Sequence, residues 1–100
     1  MTEYLIATSV LEAIVRGSLA GEERVRLHNA LPLVRTHPAE VLVDEDSCRV
    51  VVHLDARMGE FLPGLASLVR SKIGDALGPM TGLAVTSVDV VFSGVFSAGS

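Results

Sequence analysis

The feature that most constrains the fold is a helical pattern between two stretches that alternate apolar and polar residues. Residues 48–57 and 83–93 alternate with a period of two, which predicts strands. Between them, apolar residues recur at steps of three and four over residues 60–78, which predicts a helix that ends at Gly78-Pro79. A strand, a helix and a second strand in this order form a crossover, so the two strands are expected to run parallel.

The remaining segments add a second helix and a hairpin. Residues 3–20 carry an apolar stripe at helical spacing, with Thr2 as a candidate N-cap. Residues 40–44 are expected to form a strand of a β-hairpin, joined by a polar four-residue loop to the strand at 48–57. Residues 21–39 hold two prolines, so they predict a loop with one short strand or helical turn.

Together these elements predict an α+β fold with two layers. A mixed sheet of three to four strands, built from the hairpin and the βαβ crossover, is covered on one face by two helices. The 100 residues suit a single domain, 1–100, with an ordered core over about residues 3–95. The apolar strand positions expected to face the helices are Val50, Val52, Leu54, Val88, Val90 and Phe92.

Composition narrows the classes of function. Eight basic residues against twelve acidic ones give a net charge of −4, without the basic stripe that a nucleic-acid-binding protein needs. Cys48 is the single cysteine, so no disulfide forms within the chain, which is typical of a reducing cytoplasm. No apolar run approaches the ~20 residues of a membrane span, so we expect a cytoplasmic protein without direct membrane insertion.

The candidate catalytic and metal-ligating residues are few. His53 and Asp55 share one strand face, and His28 or His37 could join them, but two ligands two residues apart are fewer than a zinc site requires. We therefore expect a polar, solvent-facing pair, with no metal and no cofactor. No serine lies in a Gly-x-Ser-x-Gly elbow, so an enzyme is not expected. The remaining enzymatic alternative is an acid–base pair of His53 and Asp55.

The second face of the predicted sheet is half polar and carries no helix. A surface of this kind favours binding of a partner or self-association, and at least one edge strand of the sheet has no feature that blocks pairing with another chain. The candidate interaction surface comprises Val51, His53, Asp55, Asp89 and Val91.

Several segments of the chain resemble segments of a known family, in the same order. Met80-Thr81-Gly82-Leu83 precedes the last strand, Met58-Gly59 through Leu62-Pro63 opens the long helix, and Val50-Val51-Val52-His53-Leu54 supplies an apolar strand. These segments resemble the alkaline shock protein family, also called the Gls-type general stress proteins, of Gram-positive bacteria. The first helix, with Ile6-Ala7-Thr8 near its start, is similar to the opening helix of that family.

The resemblance implies a non-enzymatic protein of cell-envelope stress homeostasis. Such a protein is expected to self-associate as a homo-oligomer or with family paralogues, and to be held near the membrane by a separate membrane-anchored partner. The alternative is a small ligand- or RNA-binding α+β module. That class is expected to show a Gly-x-x-Gly backbone clamp, or exposed aromatic residues beside basic residues on the sheet.

Overall fold

A computed structural model describes residues 6–28 and 37–97 of the chain. Within these two ranges the elements follow one another as α1 (Thr8–Leu19), β1 (Val25–Leu27), β2 (Ala39–Asp44), β3 (Ser47–Arg57), α2 (Leu62–Thr81) and β4 (Ala84–Phe96). The predicted α+β fold is confirmed.

The sheet is built around β3. On one side of β3, β2 pairs antiparallel with its first half and β1 pairs antiparallel with its second half. On the other side, β4 runs parallel to β3 from Ser47↔Ala84 to Arg57↔Phe96. The sheet is therefore mixed, and the predicted hairpin and parallel crossover are both present.

Both helices pack on the same face of the sheet. Alternation along β3 directs one set of side chains toward the helices, and these are fully buried because α1 and α2 lie over them. The largest side chains of this core are Leu11, Val15, Val50, Val52, Leu54, Val69, Ile73 and Leu77. The predicted helix-facing residues of β4, Val88, Val90 and Phe92, are partly buried and pack against the same core.

The helix bounds differ from the prediction at both helices. α1 begins at Thr8 because Ala7 is extended (φ −64°, ψ 142°), and the predicted cap at Thr2 lies outside the described residues. α2 does not end at Gly78-Pro79 but continues through Pro79 to Thr81; the missing N–H of Pro79 costs one helical hydrogen bond, and the left-handed Gly82 sets the actual end. Gly82, in the left-handed conformation at φ 76°, ends α2 and donates its N–H to the Gly78 carbonyl at 2.8 Å.

The loops differ from the prediction in detail. Of the predicted loop 21–39, residues 29–36 lie outside the described residues; the described part contains the short strand β1, which pairs with the end of β3. The hairpin loop has two residues rather than four, because Asp44 and Ser47 already pair across the strands. Glu45 takes the left-handed conformation (φ 56°) that so short a loop requires.

Candidate interaction surface

The face of the sheet that points away from α1 and α2 is named here the open face. Alternation along β3 places Val51, His53 and Asp55 on it, and all three are half-buried. β4 sets Asp89 beside Val51 and Val91 beside His53, both exposed. The structure therefore brings all five predicted surface residues onto one face.

The polar groups of the open face form two separate pairs. Asp55 Oδ1 lies 2.7 Å from His28 Nδ1, whereas His53 Nδ1 lies 3.4 Å from Ser93 Oγ. The pair of His53 with Asp55 that an acid–base mechanism would use is thus not formed. β1 accounts for the difference, because the His28 N–H bonds the His53 carbonyl at 2.9 Å and brings His28 onto the open face.

Gly94 makes room for the Asp55 carboxylate. In the register of β3 and β4, Gly94 lies directly beside Asp55. A Cβ atom built on Gly94 would stand 2.6 Å from Asp55 Oδ1, closer than side chains approach one another. The carboxylate therefore occupies the space of a side chain at this position, and from there it reaches His28.

An aromatic residue on the open face was missed by the sequence analysis. A β-bulge at Ser93 shifts the alternation of β4, so that Phe96 lies beside Arg57 on the open face. The Arg26 guanidinium stacks over the Phe96 ring, 3.9 Å from its centroid. An aromatic residue beside a basic one on the sheet is the feature expected of the ligand- or RNA-binding alternative.

The structure assigns no metal site to these residues. Within 6–28 and 37–97, no group of three or more His, Cys, Asp or Glu side chains lies close enough to hold an ion. Cys48 lies on the helix-covered face, where burial raises the pKa of its thiol. His37 lines a shallow surface pocket beside Glu40 and Leu42 of β2.

The two ends of the sandwich also carry exposed features. At the end where β3 passes into α2, four large apolar side chains lie on the surface: Met58, Phe61, Leu62 and Val95. We call this group the apolar end. The helical spacing predicts Phe61 as part of the buried stripe, but Phe61 precedes α2 as its N-cap residue and is 75% exposed.

The opposite end of the sandwich holds the β2–β3 hairpin and the C-terminus of α2. The hairpin carries Asp44, Glu45 and Asp46, all exposed, and we call this region the acidic end. A pocket of about 270 Å³ opens there, with apolar walls from Ile6, Leu11, Val43 and Leu83 and a rim that includes Glu45 and Asp46.

Neither helix among the residues described is long and apolar enough to cross a membrane. Comparison of the chain with protein-family models, curated proteins and solved structures found no match. The resemblance to the alkaline shock protein family therefore stays a prediction based on the sequence segments given above.

Proposed function

We propose that this protein is a non-enzymatic interaction protein that binds a partner protein through the open face. The observation that carries the proposal is the one-sided cover of the sheet, since both helices pack on the same face and leave the other without a layer. Val51 and Val91, the latter 40% exposed, form an apolar centre on that uncovered face. Polar residues surround this centre, as in many protein interfaces.

The polar residues that flank this centre supply contacts for a protein partner. The Asp55 carboxylate lies 2.7 Å from His28 Nδ1, so it has a fixed position on the open face. Asp89 lies beside Val51 as an exposed carboxylate that a basic group of a partner can bind. The apolar groups supply contact area, and the charged groups fix the orientation of the bound partner.

The sequence resemblance supplies the biological setting of the proposal. A protein of this family would act in the cytoplasm in cell-envelope stress homeostasis. It would self-associate, or associate with paralogues, and a membrane-anchored partner would hold it near the membrane. In this proposal the open face binds that partner.

The proposal is tested by affinity capture from detergent-solubilised cells, with quantitative mass spectrometry as the readout. The double variant Val51→Glu/Val91→Glu serves as the disrupted bait, and the exposed helix substitution Val10→Glu serves as a matched control for an added charge. We expect a membrane protein to be enriched with the wild type and with Val10→Glu, and to be lost with the double variant. Equal recovery with all three baits, with the fold intact by circular dichroism, would refute the proposal.

The alternative function, a small ligand- or RNA-binding module, has one observation in its favour. Phe96 with Arg26 stacked on it is a pair that could also hold a planar ring or a base. The net charge of −4 opposes binding of RNA, because the phosphate backbone requires basic surface. Titration of a labelled single-stranded RNA with the protein, followed by fluorescence anisotropy, tests RNA binding. A saturable rise in anisotropy would favour the RNA-binding alternative, and an unchanged anisotropy would oppose it.

A further inference from the structure

We propose that copies of this chain associate end to end, with Phe61 of one copy entering the pocket at the acidic end of the next. The inference rests on the self-association part of the proposed function and adds where the contact lies. It uses the two ends of the sandwich and leaves the open face free for a different partner.

Phe61 has the form of a projecting anchor. Its ring lies against Gly64 in the first turn of α2, where an added Cβ would stand 3.1 Å from the ring. The ring therefore packs against the first turn of α2, while most of its surface is exposed to solvent. Met58, 64% exposed, and Val95, 62% exposed, lie at the same end and enlarge the apolar area around the ring.

The pocket at the acidic end is suited to an aromatic ring. An apolar cavity of roughly 150 Å³ accepts benzene, so a pocket of about 270 Å³ has room for a phenyl side chain. Ile6, Leu11, Val43 and Leu83 give the ring apolar contacts, and the rest of the lining comes from Glu45, Asp46, Thr81 and Gly82.

Charge opposes contact between two acidic ends. Three exposed carboxylates at Asp44, Glu45 and Asp46 would repel one another if two acidic ends met. At the apolar end, Arg24 and Arg57 are each paired with a glutamate of the same end, so an acidic end meets less repulsion there than at a second acidic end.

The direction of the contact decides the kind of assembly. The hairpin lies at the start of β3 and Phe61 follows its end, so the eleven residues of the strand, about 36 Å, separate the two ends. A contact between unlike surfaces is heterologous, and its repetition gives an open chain of copies unless the rotation closes a ring.

The size of the ends sets the expected strength of the contact. The shorter dimensions of the molecule are 32 and 19 Å, so an elliptical end has a cross-section of about 480 Å². Two such ends bury at most about 1,000 Å² in total, which is at the lower limit for a specific interface. We therefore expect a dissociation constant on the order of 10 µM to 1 mM, and an average mass that rises with concentration.

The test uses two variants that each block one end. Phe61→Asp removes the ring and adds a charge that opposes the acidic end, while Asp at an N-cap position stabilises the helix that follows, so the fold is retained. Val43→Glu places a carboxylate in the wall of the pocket, at a side chain that is 47% exposed. Sedimentation velocity over a concentration series measures the association of each variant alone and of the equimolar mixture.

We expect each variant alone to remain monomeric, with the dissociation constant raised about tenfold or more, and the mixture to form dimers. Only a contact between unlike ends produces this complementation, because one variant keeps an intact pocket and the other an intact Phe61. Val91→Glu, on the open face, serves as the matched control and is expected to associate like the wild type.

A second measurement needs only Phe61→Asp. Added in excess to wild type, this variant is expected to cap growing chains and to lower their average mass. Three results would overturn the end-to-end contact. In the first, Phe61→Asp associates like the wild type; in the second, it is monomeric but leaves wild-type assemblies unchanged. In the third, the single substitution Val91→Glu abolishes association. Wild-type protein that stays monomeric at millimolar concentration overturns self-association itself, whereas partner capture through the open face is judged separately by the mass-spectrometry experiment.

Discussion

Gly94→Ala tests whether the open face is built around the Asp55 carboxylate. The added Cβ would stand 2.6 Å from Asp55 Oδ1 and 3.2 Å from Cγ. Asp55 has a short side chain with little freedom to swing aside, so the carboxylate must move by about 0.8 Å to reach the 3.4 Å of an ordinary contact. Directed away from His28, a movement of this size would lengthen the distance from Asp55 Oδ1 to His28 Nδ1 from 2.7 Å to about 3.5 Å, beyond the usual range of such a hydrogen bond.

The size of the effect follows from two opposing contributions. Loss of a partly exposed hydrogen bond costs about 0.5–1.5 kcal/mol, and local overpacking adds to this cost. Replacement of Gly by Ala lowers the conformational entropy of the unfolded chain, which stabilises the protein by about 0.4–1 kcal/mol. We therefore expect Gly94→Ala to lower the free energy of unfolding by about 1 kcal/mol in the wild-type background.

The decisive comparison is the same substitution in an Asp55→Ala background. Without the carboxylate there is no clash and no hydrogen bond to lose, so Gly94→Ala is expected to be neutral or to stabilise by about 0.5 kcal/mol. Urea unfolding followed by circular dichroism gives the four free energies of the cycle, and we expect a coupling of about 1–2 kcal/mol.

Gly74→Ala is the control for this cycle. Gly74 lies in α2 with nothing within 4 Å of an added Cβ, so alanine there should stabilise the protein by about 1 kcal/mol in both backgrounds. If instead Gly94→Ala has the same effect with and without Asp55, within about 0.5 kcal/mol, the account of Gly94 as the space for this carboxylate is refuted.

Two further predictions concern buried and paired groups. Cys48 is buried and its thiol pKa is raised by burial, so thiol reagents should label it only after unfolding; fast labelling of the native protein would contradict its place in the core. Hydrogen bonds from the Arg24 side chain lower the pKa of Glu22 from 4.5 to about 2, although desolvation opposes the shift. A carboxylate with a depressed folded-state pKa adds stability above pH 4.5 that is lost as the pH falls toward about 2. Arg24→Met should therefore reduce the loss of stability between these pH values, measured by urea unfolding, and an unchanged pH dependence would argue against this pairing.

Much of the fold could be predicted from the sequence because its strongest patterns are local. The alternation of β3 and the helical spacing of α2 require no knowledge of distant contacts, and both elements form close to the predicted residues. The end of α2 was predicted wrongly because Gly78-Pro79 is a strong stop signal, whereas Thr81 and Gly82 provide the actual end. Thr81 Oγ1 donates to the Leu77 carbonyl at 2.6 Å and accepts the Leu83 N–H at 3.1 Å.

The candidate surface was predictable only as far as simple alternation holds. Val51, His53 and Asp55 lie on one face because β3 alternates without interruption through them. The partner of Asp55 could not be predicted, since it depends on β1, a strand of three residues in a segment with little periodicity. Phe61 was assigned to the core because spacing alone cannot distinguish the first residue of a buried stripe from an exposed residue before the helix.

The bulge at Ser93 connects the two surfaces proposed for this protein. With uninterrupted alternation, residues 94 and 96 would follow Phe92 onto the helix-covered side, and residue 95 would face the open side. The register instead sets Gly94 beside Asp55, Val95 beside the buried Ala56 and Phe96 beside Arg57. Val95 thereby joins the apolar end, and Phe96 joins the open face. One extra residue in an edge strand thus exchanges the sides that Val95 and Phe96 face. The open face thereby gains Phe96 and the apolar end gains Val95, so that a single short domain can present one surface to copies of itself and another to a partner.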